Sequence, residues 1–269
     1  MTTGAVIFAF NNEKTDYVKM AAWSAKRIRR WLDIPTTVIT DSLDPELSNQ
    51  FDRVIHAAPE TGGSRYFEDY AGSVSWHNAG RTSAYNLSPY DQTLVLDSDY
   101  VVCSNQLQAI INAPQDFLAH RTALDATRPD EPFLDTFGRN RFPMWWATVM
   151  MFRKSITAQY IFDSMTMIKA NYQHYRDLYG ITERNYRNDY ALSIALGLVS
   201  GHTLQVDSIP WPMISVLPSA ELEKNSAGNN EIWTIKYPGA DGKPKTIGIA
   251  GQDFHAMGKR HLEAAIETH

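Results

Sequence analysis

The sequence predicts an α/β fold built on a mostly parallel central sheet flanked by helices. The chain opens strand, helix, strand: 5–10 is a short apolar run, 15–32 has helical spacing, and 35–40 is β-branched and closed by Asp41. Such a βαβ start favours parallel pairing. Further on, Thr93-Leu94-Val95-Leu96 stops abruptly on Asp97-Ser98-Asp99 before Tyr100-Val101-Val102 resumes the apolar run. This is a buried strand with two carboxylates at its carboxyl end, the edge where α/β sheets bind ligands. Strand and helix patterns then alternate through the 269 residues with no internal repeat, linker or low-complexity segment. One domain over 1–269, with a sizeable core, is the expectation.

The elements follow in order. In 15–32 the residues Tyr17, Met20, Ala21, Ser24 and Ile28 share one helical face. Residues 53–57 read as a third strand. The segment 75–87 reads as a helix that passes through Pro89-Tyr90 into the strand ending at Asp97. After it come a short helix at 105–111 and a short strand at 117–120. The stretch 122–142, rich in Arg, Asp, Pro and Gly, reads as a long loop, and long loops in compact domains are often functional. A strongly apolar strand covers 145–152, and helices cover 155–178 and 186–198. Strands at 231–237 and 246–250 flank Gly239-Ala240-Asp241-Gly242 as a small antiparallel hairpin, and 259–266 closes the chain as a short helix.

Composition narrows the function classes. Apolar residues make up 43% and charged residues 20%, ordinary for a globular protein, and the formal charge of -5 argues against a broad basic nucleic-acid face. Lys26, Arg27, Arg29 and Arg30 form a small basic cluster, expected as a solvated helix face. The lone Cys103 excludes an internal disulfide, suits a reducing, cytoplasmic setting, and reads as buried filler. The N-terminal apolar run is too short for a signal peptide, and nothing approaches the ~18 apolar residues of a membrane span. There is no P-loop, no Rossmann glycine fingerprint and no Gly-x-Ser-x-Gly elbow.

Four constellations could carry chemistry. Asp97 and Asp99 repel each other unless a cation lies between them, and oxygen ligands suit Mg²⁺ or Mn²⁺ holding phosphate oxygens. Asp-Ser-Asp also suits a surface turn. Asp253-Phe254-His255-Ala256-Met257-Gly258-Lys259-Arg260 offers an imidazole ligand, which favours Mn²⁺, a glycine for close backbone approach, and two cations for a leaving diphosphate. A loop leading into a helix would look the same. Arg81 could reach the same sheet edge or be a surface arginine. Asp189, in Arg187-Asn188-Asp189-Tyr190, could bind sugar hydroxyls or simply favour a helix start.

In order and spacing, these pieces resemble the GT-A glycosyltransferases, a Rossmann-like fold, and within them family 8, which includes glycogenin and bacterial galactosyltransferases. The matching residues are Phe8-Ala9-Phe10-Asn11-Asn12 with Tyr17, then Arg81, then Leu94-Val95-Leu96-Asp97-Ser98-Asp99, the strand from Trp145 to Arg153, Asp189, and His255-x-x-Gly258 with its cations. The resemblance implies a nucleotide-binding half at about 1–120 and an acceptor-side half at about 121–269. It implies Phe10, Asn11 and Tyr17 at the base, Ser98 near the ribose, and Arg81 and Gly258 on the donor. Asp97, Asp99 and His255 would hold Mn²⁺ (or Mg²⁺), Lys259 or Arg260 would face the diphosphate, and Asp189 would lie near the sugar and acceptor. Three positions depart from the family: Ala147-Thr148-Val149 replaces Asn-x-Gly, Asp189-Tyr190 replaces Asp-Gln, and Lys259 directly follows Gly258 where Lys-Pro-Trp usually comes later.

The implied activity is transfer of a sugar from a UDP-sugar to a hydroxyl acceptor with retention. Two other classes fit the residues: a metal-dependent phosphohydrolase of nucleotide diphosphates, and a non-catalytic nucleotide-sugar-binding protein. The acceptor could be a glycan, a protein, a small molecule or a hydroxylated base of phage-type DNA, the last contacted through Arg128, Arg139, Arg141 and the 26–30 cluster. Trp145, Trp146, Trp211 and Trp233 are candidate sugar platforms.

Overall fold

The computed structural model describes residues 1–61, 63–203, 205–227, 230–239 and 241–267. The strands are β1 (Thr3–Phe8), β2 (Thr36–Thr40), β3 (Arg53–His56), β4 (Ser64–Phe67), β5 (Gly72–Ser75), β6 (Gln92–Leu96), β7 (Tyr100–Val101), β8 (Phe117–His120), β9 (Ala123–Asp125), β10 (Arg128–Pro132), β11 (Thr136–Phe137), β12 (Phe142–Pro143), β13 (Trp146–Arg153), β14 (Met213–Val216), β15 (Glu221–Ala227), β16 (Asn230–Pro238), β17 (Pro244–Ala250) and β18 (Phe254–Ala256). The helices are α1 (Tyr17–Leu32), α2 (Leu47–Gln50), α3 (Ala84–Leu87), α4 (Gln108–Ile111), α5 (Ile156–Ala170), α6 (Tyr172–Tyr179), α7 (Asn188–Val199) and α8 (Lys259–Glu267).

The central sheet runs β3-β2-β1-β6-β13-β8. Its pairs are parallel except around β13, which runs against both β6 and β8, so the predicted mostly parallel sheet is present with one reversed strand. β2 and β6 are buried along their whole length, as expected for strands covered on both faces. Gly4 in β1 leaves room for the Tyr90 ring, which a Cβ there would meet at 2.3 Å and displace. α1 starts where the Asp16 carboxylate accepts the Lys19 amide at 3.0 Å. It ends at Asp33, which turns left-handed with φ 53°.

A second sheet, β10-β9-β14-β18-β7, was not foreseen. Its strands of two to five residues are too short for a readable period. Two of them come from the stretch expected as one long loop, 122–142, which also holds the β11–β12 pair. This sheet positions the site, because β18 pairs with β7 directly after the acidic turn, His255 opposite Tyr100.

Three further expectations are corrected. The helix expected over 75–87 begins only at 80. Asn78 instead pairs with Glu60, and its side-chain oxygen accepts from the Phe10 amide at 3.4 Å, ties that keep it out of the helix. The helix over 155–178 is two, α5 and α6. Asn171 leaves helical geometry between them and its Nδ2 donates to the Met167 carbonyl at 2.9 Å. The C-terminal hairpin, β16 with β17, gains a third strand, β15. Ala240 of its turn lies outside the described residues.

His120 ends β8 fully buried, and its Nδ1 donates to the Trp211 carbonyl at 3.1 Å. Burial, only partly opposed by this bond, holds its pKa down at about 4. The unfolded chain therefore binds a proton between that value and about 6.5 that the folded chain excludes. Stability should be complete above the unfolded value and fall by about 3 kcal/mol as pH drops from 7 to 4. Urea melts of wild type and His120→Asn across that range check this. The variant keeps an amide for Trp211 and should show a smaller acid slope.

Candidate active site

The carboxylate pair sits in the turn between the two sheets. The Asp97 amide donates to the Thr148 carbonyl at 3.0 Å, the Tyr100 amide to the Asp97 carbonyl at 3.0 Å, and the Ala256 amide to the Asp99 carbonyl at 3.0 Å. Strands β6, β13 and β18 thus fix the turn from three sides. One ligand atom each from Asp97, Asp99 and His255 lies within 4.8 Å of the others. His255 Nε2 is 3.2 Å from Asp99 Oδ2, and its Nδ1 is buried without a hydrogen-bond partner among the described residues. Two carboxylates and one imidazole are a donor set that accepts Mn²⁺.

Each acid also has a cation. Arg81 pairs with Asp97, and Lys259 with Asp99. Burial would raise the Asp99 carboxyl, but the Lys259 ammonium and the His255 ring outweigh it and hold the group well below the usual carboxylate range. Arg81 Nη1 also donates to the Ala147 carbonyl at 2.8 Å. Its burial lowers the guanidinium's pKa, with Asp189 and Asp99 opposing.

These groups open into one cavity of about 680 Å³. Tyr17, Arg81, Asp97, Ser98, Asp99, Asp189, His255 and Lys259 all line it. Asp189 lies in the first turn of α7, so it has both features weighed from sequence: a helix-start carboxylate and a cavity wall. Its oxygens accept from the Ala147 amide at 3.0 Å and from Arg187 Nη2 at 2.9 Å. Burial works to raise its pKa, but Arg187, the Ala147 amide and Arg81 together lower it.

Four sequence-selected residues are placed elsewhere. Phe10 is core, its amide bound to Asn78. Asn11 braces the start of α1, donating to Asp16 and accepting the Val18 amide, both at 3.0 Å. Gly258 packs on Pro218, and Arg260 is exposed outside the cavity lining. Among the tryptophans, Trp146 lines the cavity stacked on Phe133, with centroids 5.4 Å apart. Trp145 and Trp233 are core, and Trp211 packs partly buried against it.

Sequence inspection missed Arg65, Trp76, Arg187 and Asn188. They reach the cavity through the β4–β5 ribbon and the start of α7. Arg187 and Asn188 adjoin Asp189, a usable signal, whereas Arg65 and Trp76 carry no local pattern. Counting all lining side chains, five cations and five carboxylates face this cavity. A divalent cation together with a doubly charged nucleotide diphosphate ester would leave that balance unchanged.

No helix among the described residues is long and apolar enough to cross a membrane. No protein-family model and no curated protein matches the chain. Solved structures do. The apo-form glycosyltransferase GlyE of Streptococcus pneumoniae TIGR4 matches at 14% identity over 77% of this chain and 45% of its own, with a TM-score of 0.45. Mouse xyloside xylosyltransferase 1 matches at 11% identity over 75% and 83%, with a TM-score of 0.46. The galactosyltransferase LgtC, solved with donor and acceptor sugar analogues, matches at 16% identity over 72% and 70%, with a TM-score of 0.44. The chain spans less than half the length of GlyE and is similar, at these low identities, to solved structures named as sugar transferases.

Proposed function

We propose that this chain is a metal-dependent glycosyltransferase of the GT-A type that moves a sugar from a UDP-sugar to a hydroxyl acceptor, with retention. The observation that carries it is the convergence of Asp97, Asp99, His255 and Lys259, from the two sheets and the start of α8, in one cavity with Tyr17, Arg81 and Asp189. Asp97, Asp99 and His255 would hold Mn²⁺, or Mg²⁺ less readily because of the nitrogen ligand. Bound there, the ion supplies Lewis-acid stabilisation of charge on the departing diphosphate.

The chain's own residues do the rest. Lys259, nine-tenths buried, supplies a fixed positive charge beside that leaving group, and Arg81 a second one. Tyr17 and Ser98 line the cavity, and on this reading the ring serves the base and the hydroxyl the ribose. Asp189 stays ionised and is tied by two donors, which suits accepting sugar hydroxyls and facing positive charge at the anomeric carbon. With its oxygens already accepting from the Ala147 amide and from Arg187, it is poorly placed to take the acceptor's proton. This supports same-face attack, in which the acceptor's proton passes to the departing phosphate. The buried Cys103, whose thiol burial pushes up to about 12, has no nucleophilic part and fits a cytoplasmic setting.

A thermal-shift series with UDP and UDP-sugars, each with and without Mn²⁺, tests the donor site. Saturation at about 100 times the dissociation constant should raise the melting temperature by on the order of 5 °C, and only when nucleotide and metal are both present. Released UDP in the presence of hydroxyl acceptors supports transfer. Released sugar phosphate or inorganic phosphate would indicate the phosphohydrolase instead, and binding without turnover the non-catalytic protein.

A further inference from the structure

Arg65 projects from β4 into the cavity, on the ribbon that forms one of its walls. Its guanidinium lies 3.3 Å from the centre of the Trp76 ring, which itself stacks on Tyr186. A single long bond, Nη2 to the Tyr186 carbonyl at 3.5 Å, is its hydrogen bond to protein. Arg81, Arg187 and Lys259 each have a carboxylate in ion-pair range, and among the described residues Arg65 has none.

The position is nonetheless built. Asn185 Nδ2 donates to the Ser64 carbonyl, Asn12 Nδ2 to the Ser75 carbonyl at 3.2 Å, and the Ser75 hydroxyl to Glu13 at 2.8 Å. These bonds pin both strands of the ribbon, and the Trp76 face orients the guanidinium plane. Burial opposes the Arg65 charge and the Arg187 guanidinium opposes it further; Asp189 favours it, and Arg81 again opposes it. Like charges gathered in a half-enclosed site repel, and an anion bound among them removes the repulsion. An arginine presents a planar fork of donors that matches a carboxylate or a phosphate. The diphosphate of the proposed donor belongs beside Lys259 and the Asp97–Asp99–His255 cluster. The charged side chains that act on Arg65 are Arg187 and Asp189 before any of these.

We infer that Arg65 binds a further oxyanion of the substrates, a carboxylate or phosphate separate from the diphosphate, carried by the transferred sugar or by the acceptor. This rests on the donor site proposed above. Such an anion would sit between the Arg65 fork and the Arg187 side of the cavity, and would select acidic substrates over neutral ones.

Calorimetric titrations of wild type, Arg65→Met and Arg65→Lys test it. The methionine keeps a stem over Trp76, and the lysine keeps the charge without the fork. One arm compares UDP-glucuronate with UDP-glucose in Mn²⁺. The other compares glucose 6-phosphate with glucose in the presence of UDP and Mn²⁺. Wild type should prefer the acidic ligand by about tenfold in one arm, and that arm identifies the source. Arg65→Met should erase the preference, Arg65→Lys should retain part of it, and UDP itself should bind all three proteins within about twofold. Equal binding of acidic and neutral ligands in both arms overturns the inference. So does a loss of UDP affinity in Arg65→Met as large as its loss of acidic ligand, which would assign Arg65 to the diphosphate. If wild type binds no uridine nucleotide, the donor site fails. Inorganic phosphate titrated alone then decides for Arg65: binding by wild type that Arg65→Met lacks supports an oxyanion site, and equal behaviour overturns it.

Discussion

Asp99→Asn should abolish Mn²⁺-dependent binding of UDP and lower sugar transfer by about a thousandfold. The substitution keeps volume and removes one charge from a residue only 4% exposed. Two consequences follow from the same loss. The proposed metal site keeps one carboxylate and one imidazole, too little negative charge to hold a hard divalent ion against water. Lys259, also buried, keeps its ammonium without a carboxylate, since Asp99 is its ion-pair partner. Breaking a buried pair from one side costs about 3–5 kcal/mol, on the order of 10 °C in melting temperature for a chain of this size. Stability and binding must therefore be separated. In Asp99→Asn combined with Lys259→Met the stranded charge is gone, so the melting temperature should recover while Mn²⁺-dependent UDP binding stays absent. Calorimetry of Mn²⁺ with UDP, beside thermal melts of the three proteins, reads both quantities. An Asp99→Asn protein that still binds UDP only in the presence of Mn²⁺ would sink the metal assignment.

The acidic turn was legible because its signal is local: a run of five buried residues in β6 ends on two carboxylates two positions apart. His255 was legible as a chemical type, but not as a neighbour of Asp99. Their meeting depends on the pairing of the two short strands β7 and β18, which no periodicity announces. Phe10 and Asn11 show the opposite case. Their place after the first strand resembles a base pocket, yet the chain spends Phe10 on the core and Asn11 on starting α1. The same tertiary override keeps 76–78 out of the helix. Asn78 there receives the Phe10 amide on its side chain and the Asn188 side chain on its carbonyl, so long-range hydrogen bonds outweigh helical spacing. Arg65 and Trp76 had no signal at all, because a guanidinium laid on an indole eleven positions away looks in sequence like one charge and one aromatic.

The basic cluster at 26–30, expected as a solvated face, contains the second large effect. Arg27 is 5% exposed and holds four atoms of three groups: the Val102 carbonyl at 2.7 Å, the Cys103 sulfur at 3.2 Å, and both oxygens of Glu231, at 3.0 and 2.7 Å. Its guanidinium lies 4.7 Å from the centre of the Trp23 ring and 5.9 Å from that of Trp233, and the two indoles meet edge to face. One side chain therefore joins α1, the segment after β7, and β16. Burial would raise the Glu231 carboxyl, but the bonds from Arg27 outweigh it and lower the pKa. Arg27→Ala strands that carboxylate and the Val102 carbonyl and opens space between two indoles. The Trp233 indole N–H, 2.7 Å from Glu231, and Lys224, 3.9 Å away, compensate only in part. The expected loss is about 3–5 kcal/mol, or on the order of 10 °C. Arg27→Met with Glu231→Leu replaces the pair by apolar volume and should recover most of that loss, because a buried ion pair contributes little beyond its own desolvation. A surface arginine would change stability by less than about 0.5 kcal/mol in the single variant. Urea unfolding of the single and double variants distinguishes the two, and a single variant within that range would return Arg27 to the solvated face.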